Sequence, residues 1–273
     1  MNNKLIEISK ETMNIIKNGC YSCPMEISLP SDNYYDVKVY SPEMLEPTKQ
    51  SAEKLIKIAQ KKNDTHTIVF AKQDSFSAAM ELDNALVINF ASAINPGGGF
   101  LAGASAQEES LCRASTLYAS ISSEVAKEMY EYNRRNYNPL YSDYMLLSPN
   151  VYVFRNCTGD FLINPVKVAV LSAAAVNKRG PAMNVPQEQI DKAMIQRIQY
   201  MLSVAATENY KNIVLGAWGC GAFGNDARAV ASYFKKVIFE DNFLDVFDEI
   251  VFAIPEGKNE HKMDIFCEVF DED

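Results

Sequence analysis

Two adjacent carboxylates, Glu108 and Glu109, follow three consecutive glycines, Gly97, Gly98 and Gly99, within one stretch of the sequence. Carboxyl groups can donate a proton to a leaving oxygen and then take one from water. Glycines permit positive φ angles and let backbone N–H groups come close to a ligand, which suits a diphosphate. The stretch therefore predicts a site that holds an anionic ligand next to an acid–base group.

The elements that must position this site are a strand before the glycines and a helix after them. Leu86, Val87, Ile88 and Phe90 are bulky and apolar, which is typical of a strand buried on both faces. Ser105, with Glu108 three residues later, indicates a helix N-terminus with a capping box. A flexible surface turn with capping glutamates is the simpler alternative, but Phe100 and Leu101 would be wasted in a solvated loop.

A second glycine-rich turn repeats this arrangement later in the chain. Residues 212–215 predict a strand, the sequence GCGAFG follows at residues 219–224, and a helix is expected to begin near Asp226. Because the carboxyl ends of parallel strands share one edge of a sheet, we expect the two turns side by side, holding a diphosphate between them. The second turn lacks the Lys-Ser/Thr of a P-loop, and no acidic residue is placed for a dinucleotide ribose.

The order of these motifs resembles the microbial branch of the poly(ADP-ribose) glycohydrolase family, which is related to macrodomains. The resemblance lies in the strand, Asn95-Pro96, the three glycines, the QEE triplet at residues 107–109, and Leu111-Cys112-Arg113 with Ser115. The second turn, GAWGCGAFGND, is similar to the family's phosphate-wrapping loop, and LSAAAVN at residues 171–177 is similar to the strand end before it. The similarity spans roughly residues 1–255, although Val176 and Asn156 stand where proline and aspartate are frequent.

This resemblance implies a three-layer α/β/α macrodomain-like fold with a mixed central sheet and an N-terminal helical and strand extension. It implies an accessory segment at residues 1–64, packed on a catalytic domain at residues 65–273. The implied activity is hydrolysis of ribose–ribose O-glycosidic bonds in poly(ADP-ribose) to release ADP-ribose, with no cofactor and no metal. The implied partners are poly(ADP-ribose) or an ADP-ribosylated protein.

The resemblance also implies a role for each residue of the QEE triplet. Glu109 acts as the general acid and then the base, Glu108 orients ribose hydroxyls, and Gln107 supports the loop. Neighbours on a helix point about 100° apart, so these glutamates cannot flank one bond as a usual glycosidase pair does. The expected substrate-binding residues are Ser92, Asn95, Gly97, Gly98, Gly99, Gln107, Gly219, Cys220, Gly221, Ala222, Phe223 and Gly224.

Some of these residues keep a second interpretation. Phe223 could stack on a ribose or adenine, and Phe100 could wall the distal ribose site, or both could be packing residues. Asn95 could hydrogen-bond the distal ribose or serve only as the turn residue before a proline. Cys220 has no histidine near it in sequence, so a small residue in a tight loop is a better account than a thiol nucleophile.

Two other functions could use the same cleft. A non-catalytic ADP-ribose-binding module would keep both glycine turns without needing Glu109, and the intact QEE triplet favours the enzyme. A hydrolase of mono-ADP-ribosylated proteins would differ mainly in the wall beyond Glu109.

The composition indicates one large globular core, or a core with a small accessory lobe, since 48% of the 273 residues are hydrophobic. The formal net charge of −9 disfavours general nucleic-acid binding through a basic face. No run approaches the ~20 apolar residues of a membrane span, and no secretory signal pattern is present, so the expected location is cytoplasmic. The six cysteines are then expected to be reduced, and Cys20 and Cys23 lack partners to complete a zinc site.

Periodicity along the chain predicts the remaining elements. Helices are expected over residues 4–18, 49–62, 106–134 and 187–209, with a brief one before the central strand and a final one ending near Glu240. Strands are expected over residues 25–30, 36–41, 65–71, 151–154, 165–176 and 249–255, and the first two are expected to form a hairpin or edge pair. Residues 136–156 are expected to be largely irregular before they enter the strand.

Overall fold

The computed structural model describes residues 3–30, 33–61, 65–256 and 261–272. The helices are α1 (Asn3–Asn18), α2 (Pro42–Ala59), α3 (Ser75–Ala79), α4 (Gln107–Ala114), α5 (Leu117–Ile121), α6 (Lys127–Arg135), α7 (Gln187–Thr207), α8 (Ala227–Glu240) and α9 (Lys262–Asp271). The strands are β1 (Cys20–Ser22), β2 (Glu26–Ser28), β3 (Lys38–Tyr40), β4 (Thr67–Ala71), β5 (Ala85–Phe90), β6 (Met145–Arg155), β7 (Phe161–Ala173), β8 (Asn212–Leu215) and β9 (Glu249–Ala253). Short 3₁₀ helices lie at Phe100–Ala102 and Phe243–Val246.

Seven of the strands form one mixed sheet in the order β3-β6-β7-β5-β8-β9-β4. The five strands from β7 to β4 in this order run parallel to one another, whereas β6 is antiparallel to both β7 and β3. β5 lies in the middle, and all but its last residue are buried, because its apolar side chains face a helix layer on each side. The parallel strands therefore end together at one edge of the sheet.

Helices cover both faces of the sheet and create two core layers. On one face α2, α7, α8 and α9 pack around Trp218, Phe234 and Phe252. On the other face α3, α4, α5 and α6 pack around Phe76 and Tyr130. Each large apolar side chain that is fully buried stabilises the fold by about 1.5–3 kcal/mol. The predicted three-layer α/β/α architecture with a mixed sheet is confirmed.

The N-terminal strands pair differently from the prediction. β2 is antiparallel to β1, and β3 joins the edge of the main sheet beside β6, so the predicted hairpin between residues 25–30 and 36–41 is wrong. Gly19 starts the observed pairing, because its φ of 69° ends α1 and its carbonyl accepts from Leu29 N at 2.8 Å. α2 packs in the same core layer as α7. The division of the chain at residue 64 stays a prediction.

The helix predicted over residues 106–134 is wrong in its length, since three helices, α4, α5 and α6, occupy this stretch. The first break lies at Ser115, which is extended, with a φ of −150°, and forms an antiparallel bridge with Val153. Thr116 N then donates to Tyr152 O at 3.1 Å. The backbone after α4 is thus bound by β6, which fixes the C-terminal end of α4.

The structure also differs from the prediction in the second half of the chain. β6 begins at Met145, inside the segment predicted to be irregular, and its pairing with β7 shifts register around Pro149, which has no N–H to donate. The structure has a further helix, α9, after β9, whereas the last helix predicted from the sequence ends near Glu240. Among the described residues, no helix is both long enough and apolar enough to cross a bilayer.

Candidate active site

A cavity of about 1090 Å³ lies at the carboxyl edge of the main sheet. Its walls include residues that directly follow five parallel strands: Asp74 after β4, Ser92 and Asn95 after β5, Ala175 after β7, Ala217 and Gly219 after β8, and Ile254 and Pro255 after β9. Open α/β sheets bind their ligands at this edge, because the connections there diverge and leave a crevice. Residues of both glycine turns line this one cavity.

Glu109 brings one unpaired carboxylate oxygen to the cavity wall. Its Oε1 accepts from Gly99 N at 2.8 Å, which fixes the side chain against the first glycine turn. Its Oε2 is buried and has no hydrogen-bond partner within the described part of the chain. Leaving a buried polar atom unpaired costs about 1–3 kcal/mol, so this oxygen is available to a ligand at little further cost.

Glu108 is held by the protein on both oxygens. Oε2 accepts from Ser92 N at 2.8 Å, and Oε1 accepts from Asn89 Nδ2 at 3.3 Å. Burial raises the pKa of Glu108 to about 8 against the opposing effect of these hydrogen bonds, so the carboxyl is mainly protonated at neutral pH. The predicted capping box is therefore wrong: Ala106 is the N-cap residue of α4 and makes no side-chain cap.

Gln107 clamps α4 to the central strand. Its Nε2 donates to Ile88 O at 2.8 Å and to Ser75 Oγ at 3.1 Å. Its Oε1 accepts from Phe90 N at 2.9 Å. The amide is thereby used at both ends by the protein, so Gln107 positions the two glutamates.

The first glycine turn donates its N–H groups to the protein. Gly98 N donates to Asn95 O at 3.0 Å, and Gly99 N donates to Glu109. This corrects the expectation that the amides of this turn hold a diphosphate. The glycines are needed for close approach instead, because a Cβ on Gly98, whose φ is 56°, would stand 2.5 Å from Glu109 Oε1.

The second glycine turn keeps its donors free. Within the described residues, the backbone N–H groups of Gly219, Gly221, Ala222 and Phe223 have no hydrogen-bond partner. Asn225 holds the turn in shape, since its Nδ2 donates to Gly219 O at 3.1 Å and to Val176 O, just after β7, at 2.8 Å. Free N–H groups in one tight turn form a concave site for an anion.

The predicted site residues divide between the cavity wall and the turns behind it. Those that line the cavity are Ser92, Asn95, Gly98, Gly99, Gln107, Glu108, Glu109, Gly219, Gly221, Ala222 and Phe223. Gly97, Cys220 and Gly224 belong to the turns but do not line the cavity. Burial raises the pKa of Cys220 to about 12, so its thiol stays protonated at neutral pH. Phe100 is buried and packs on Tyr118 with ring centroids 5.0 Å apart, as a packing residue.

Sequence reasoning missed part of the cavity wall. Asp74 and residues 254–255 follow parallel strands, so the same strand-end rule that located the glycine turns could have found them. Lys4 and neighbouring residues of α1, and the turn at residues 156–160 between β6 and β7, also line the cavity. No sequence signal brings these two segments to the sheet edge.

The sheet, its two helix layers and the cavity at its carboxyl edge define a macrodomain-like α/β/α protein. A model of the family described as "Microbial-type PARG, catalytic domain" matches residues 9–156. The chain belongs to this family of microbial-type poly(ADP-ribose) glycohydrolases and is a glycosidase. The family, fold class and enzyme class predicted from the sequence are confirmed, and the reading as a non-catalytic module is set aside.

Solved structures of bacterial poly(ADP-ribose) glycohydrolases resemble nearly the whole chain. The enzyme from Thermomonospora curvata is 31% identical, with a TM-score of 0.89 over 98% of this chain and 100% of that chain. The same enzyme bound to the inhibitor ADP-HPD is 30% identical, with a TM-score of 0.86 over 98% of this chain and 99% of that one. The enzyme from Deinococcus radiodurans in complex with ADP-ribose is 33% identical, with a TM-score of 0.82 over 90% and 99%. Comparison with curated protein sequences gives no match.

Proposed function

We propose that the cavity binds an ADP-ribose unit of poly(ADP-ribose) and that Glu109 cleaves the ribose–ribose bond next to it. The observation that carries this proposal is the second carboxylate oxygen of Glu109, which is buried, unpaired among the described residues and part of the cavity wall. The similar enzymes bound to ADP-ribose and to ADP-HPD support a ligand of this size and chemistry.

The second glycine turn is the proposed diphosphate site. Its free N–H groups on Gly219, Gly221, Ala222 and Phe223 can donate to phosphate oxygens without a basic side chain, which suits a chain of net charge −9. A diphosphate there places the distal ribose toward α4 and the first glycine turn. The ring of Phe223 then lies beside the bound nucleotide.

Glu109 acts twice in the proposed reaction. As an acid it gives its proton to the glycosidic oxygen while the bond from that oxygen to the anomeric carbon breaks. As a base it then takes a proton from the water that attacks the anomeric carbon, which releases ADP-ribose and restores the acid. Gly99 holds Oε1 throughout, and the bound diphosphate stabilises the positive charge that develops on the sugar.

Glu108 has a different proposed role because both of its protein partners are donors. Ser92 N and Asn89 Nδ2 each donate to a carboxyl that is itself mainly protonated at neutral pH. The proton of Glu108 therefore has no acceptor in these two contacts. We assign it to a hydroxyl of the distal ribose, which orients the sugar over Glu109.

The test is a comparison of turnover and binding in Glu109→Gln, which keeps the shape and the Gly99 hydrogen bond. Turnover of poly(ADP-ribose) is expected to fall by about 10²–10⁴-fold, while ADP-ribose affinity by calorimetry stays close to that of wild type. Glu7→Gln, on the exposed face of α1, is the matched control. Wild-type turnover in Glu109→Gln would contradict the assignment.

Preference for polymer over mono-modified protein, the cytoplasmic location and the accessory nature of residues 1–64 remain proposals. Incubation with poly(ADP-ribosyl)ated and with mono-modified acceptor tests the first, since release from the mono-modified acceptor alone would favour the mono-specific reading. Cell fractionation tests the second, and limited proteolysis near residue 64 tests the third.

A further inference from the structure

The cavity continues beyond Glu109 into a region that none of the roles above uses. Its walls are Lys4, Leu5 and Ile8 of α1, Arg113 of α4 and the turn at residues 156–160. We call this region the outer lobe. Arg113 lies one helical turn after Glu109 on α4, so the outer lobe is adjacent to the proposed acid–base group.

α1 is fixed to the segments that hold Glu109. Ser9 Oγ donates to Phe100 O at 2.8 Å, at the end of the first glycine turn. Thr12 Oγ1 donates to Arg113 O at 2.9 Å, at the end of α4. Both hydroxyl side chains are buried, which makes these bonds costly to break. The outer lobe is therefore a preformed wall at a fixed distance from Glu109.

The chemistry of the outer lobe suits a nucleotide. Leu5 and Ile8 are half-buried and lie one helical turn apart, so they form an apolar strip facing the cavity. Lys4 is an exposed cation at the rim of this strip. Arg113 supplies a second cation, whose guanidinium is anchored by donating to Ala104 O at 2.6 Å. An apolar strip with flanking cations matches a purine carrying phosphate groups.

We infer that the outer lobe holds the leaving ADP-ribose unit, the nucleotide on the far side of the bond that Glu109 cleaves. The inference rests on the proposed function, because only a polymer has a nucleotide as its leaving group. The cavity volume of about 1090 Å³ lies at the top of the ~300–1,000 Å³ range of ordinary ligand pockets, which is consistent with a ligand longer than one ADP-ribose unit. The outer lobe thereby selects polymer over glycosides with small leaving groups.

The first test compares two substrates that differ only in the leaving group: poly(ADP-ribose), and an ADP-ribosyl O-glycoside of a small chromogenic alcohol. Lys4→Glu is expected to lower kcat/KM for the polymer at least fivefold and to change it less than twofold for the small glycoside. Lys10→Glu makes the same charge change on the exposed face of α1, outside the cavity wall, and is expected to affect neither substrate.

The second test blocks the outer lobe chemically. Cys157 is the exposed cysteine in the described chain and stands on the cavity wall, while the others are half-buried or buried. Alkylation with a bulky maleimide is expected to lower kcat/KM for the polymer about tenfold and to spare the small glycoside. Cys157→Ser is the matched control, because it removes the site of modification: its polymer turnover after treatment with the reagent should equal that of the same variant without treatment.

Each outcome decides between the two proposals. A selective loss of polymer turnover in both tests supports the outer lobe as the site of the leaving unit. Equal effects on both substrates, or no effect on either, overturn that assignment while leaving the proposed hydrolysis intact. Absence of turnover of both substrates by the unmodified protein overturns the proposed function, and the outer lobe with it.

Discussion

Gly98→Ala should separate the positioning of Glu109 from the stability of the fold. A Cβ at this position would stand 2.5 Å from Glu109 Oε1 and 3.1 Å from Glu108 Oε2, whereas ordinary contacts begin at 3.4 Å. The Glu109 carboxylate must therefore move by nearly 1 Å, and a displacement of about 1 Å can cost about a hundredfold in rate. The φ of 56° adds left-handed strain of about 1–2 kcal/mol.

Gly19→Ala is the matched control, because Gly19 has a φ of 69° and the nearest atom to its Cβ would be Tyr34 Oη at 3.9 Å. It carries the same backbone strain without touching the site. Urea unfolding should show similar losses of stability in both variants, whereas kcat for polymer hydrolysis should fall about a hundredfold only in Gly98→Ala. If both variants kept wild-type kcat, the idea that the close approach of Gly98 positions Glu109 for catalysis would be refuted.

The remaining predictions concern Glu108, the second glycine turn and Gln107. Burial raises the pKa of Glu108 from 4.5 to about 8, so between these pH values the folded protein keeps a proton that the unfolded chain releases. The free energy of unfolding should therefore fall as the pH rises through this range, by up to roughly 1.4 kcal/mol per pH unit. Urea unfolding at several pH values should show that the free energy of unfolding falls less steeply with pH in Glu108→Gln. Gly219→Ala puts a Cβ 2.7 Å from Ala175 Cβ at a φ of 76°, and calorimetry should show ADP-ribose affinity reduced at least tenfold, with Gly19→Ala unchanged. Gln107→Ala leaves Phe90 N and Ile88 O without their side-chain partner, so the free energy of unfolding should fall by about 1–3 kcal/mol and kcat should fall as well. An unchanged midpoint of urea unfolding would contradict the role of Gln107 in holding α4 against β5.

The central architecture could be predicted because local patterns there agree with long-range packing. The apolar residues Leu86, Val87, Ile88 and Phe90 favour a strand covered on both faces, and β5 is such a strand. Asp226 was expected to begin a helix, and its side chain accepts from Ala229 N at 2.9 Å as the N-cap of α8. The break at Ser115 could not be predicted, because it depends on a bridge to Val153 in a strand further along the chain.

The residue types of the candidate site could be predicted, but their partners could not. The QEE triplet stands out in the sequence, and a helix N-terminus is a reasonable place for two acidic residues. Which glutamate is tied down depends on where the backbone N–H groups of Ser92 and Gly99 point after folding. Helical periodicity says nothing about those directions, so the sequence alone predicts a capping box for Glu108.

The two glycine turns show that one sequence signal can serve two physical purposes. Both follow a parallel strand and precede a helix, and from sequence both suit a phosphate. In the first turn, the QEE helix packs so closely that Gly99 N is occupied by Glu109, and a Cβ on Gly98 would collide with the same carboxylate. In the second turn, the helix begins with its own cap at Asp226, so no side chain from that helix competes for the loop amides. The first turn therefore fixes the Glu109 side chain, whereas the second keeps N–H groups free, among the described residues, for the proposed diphosphate.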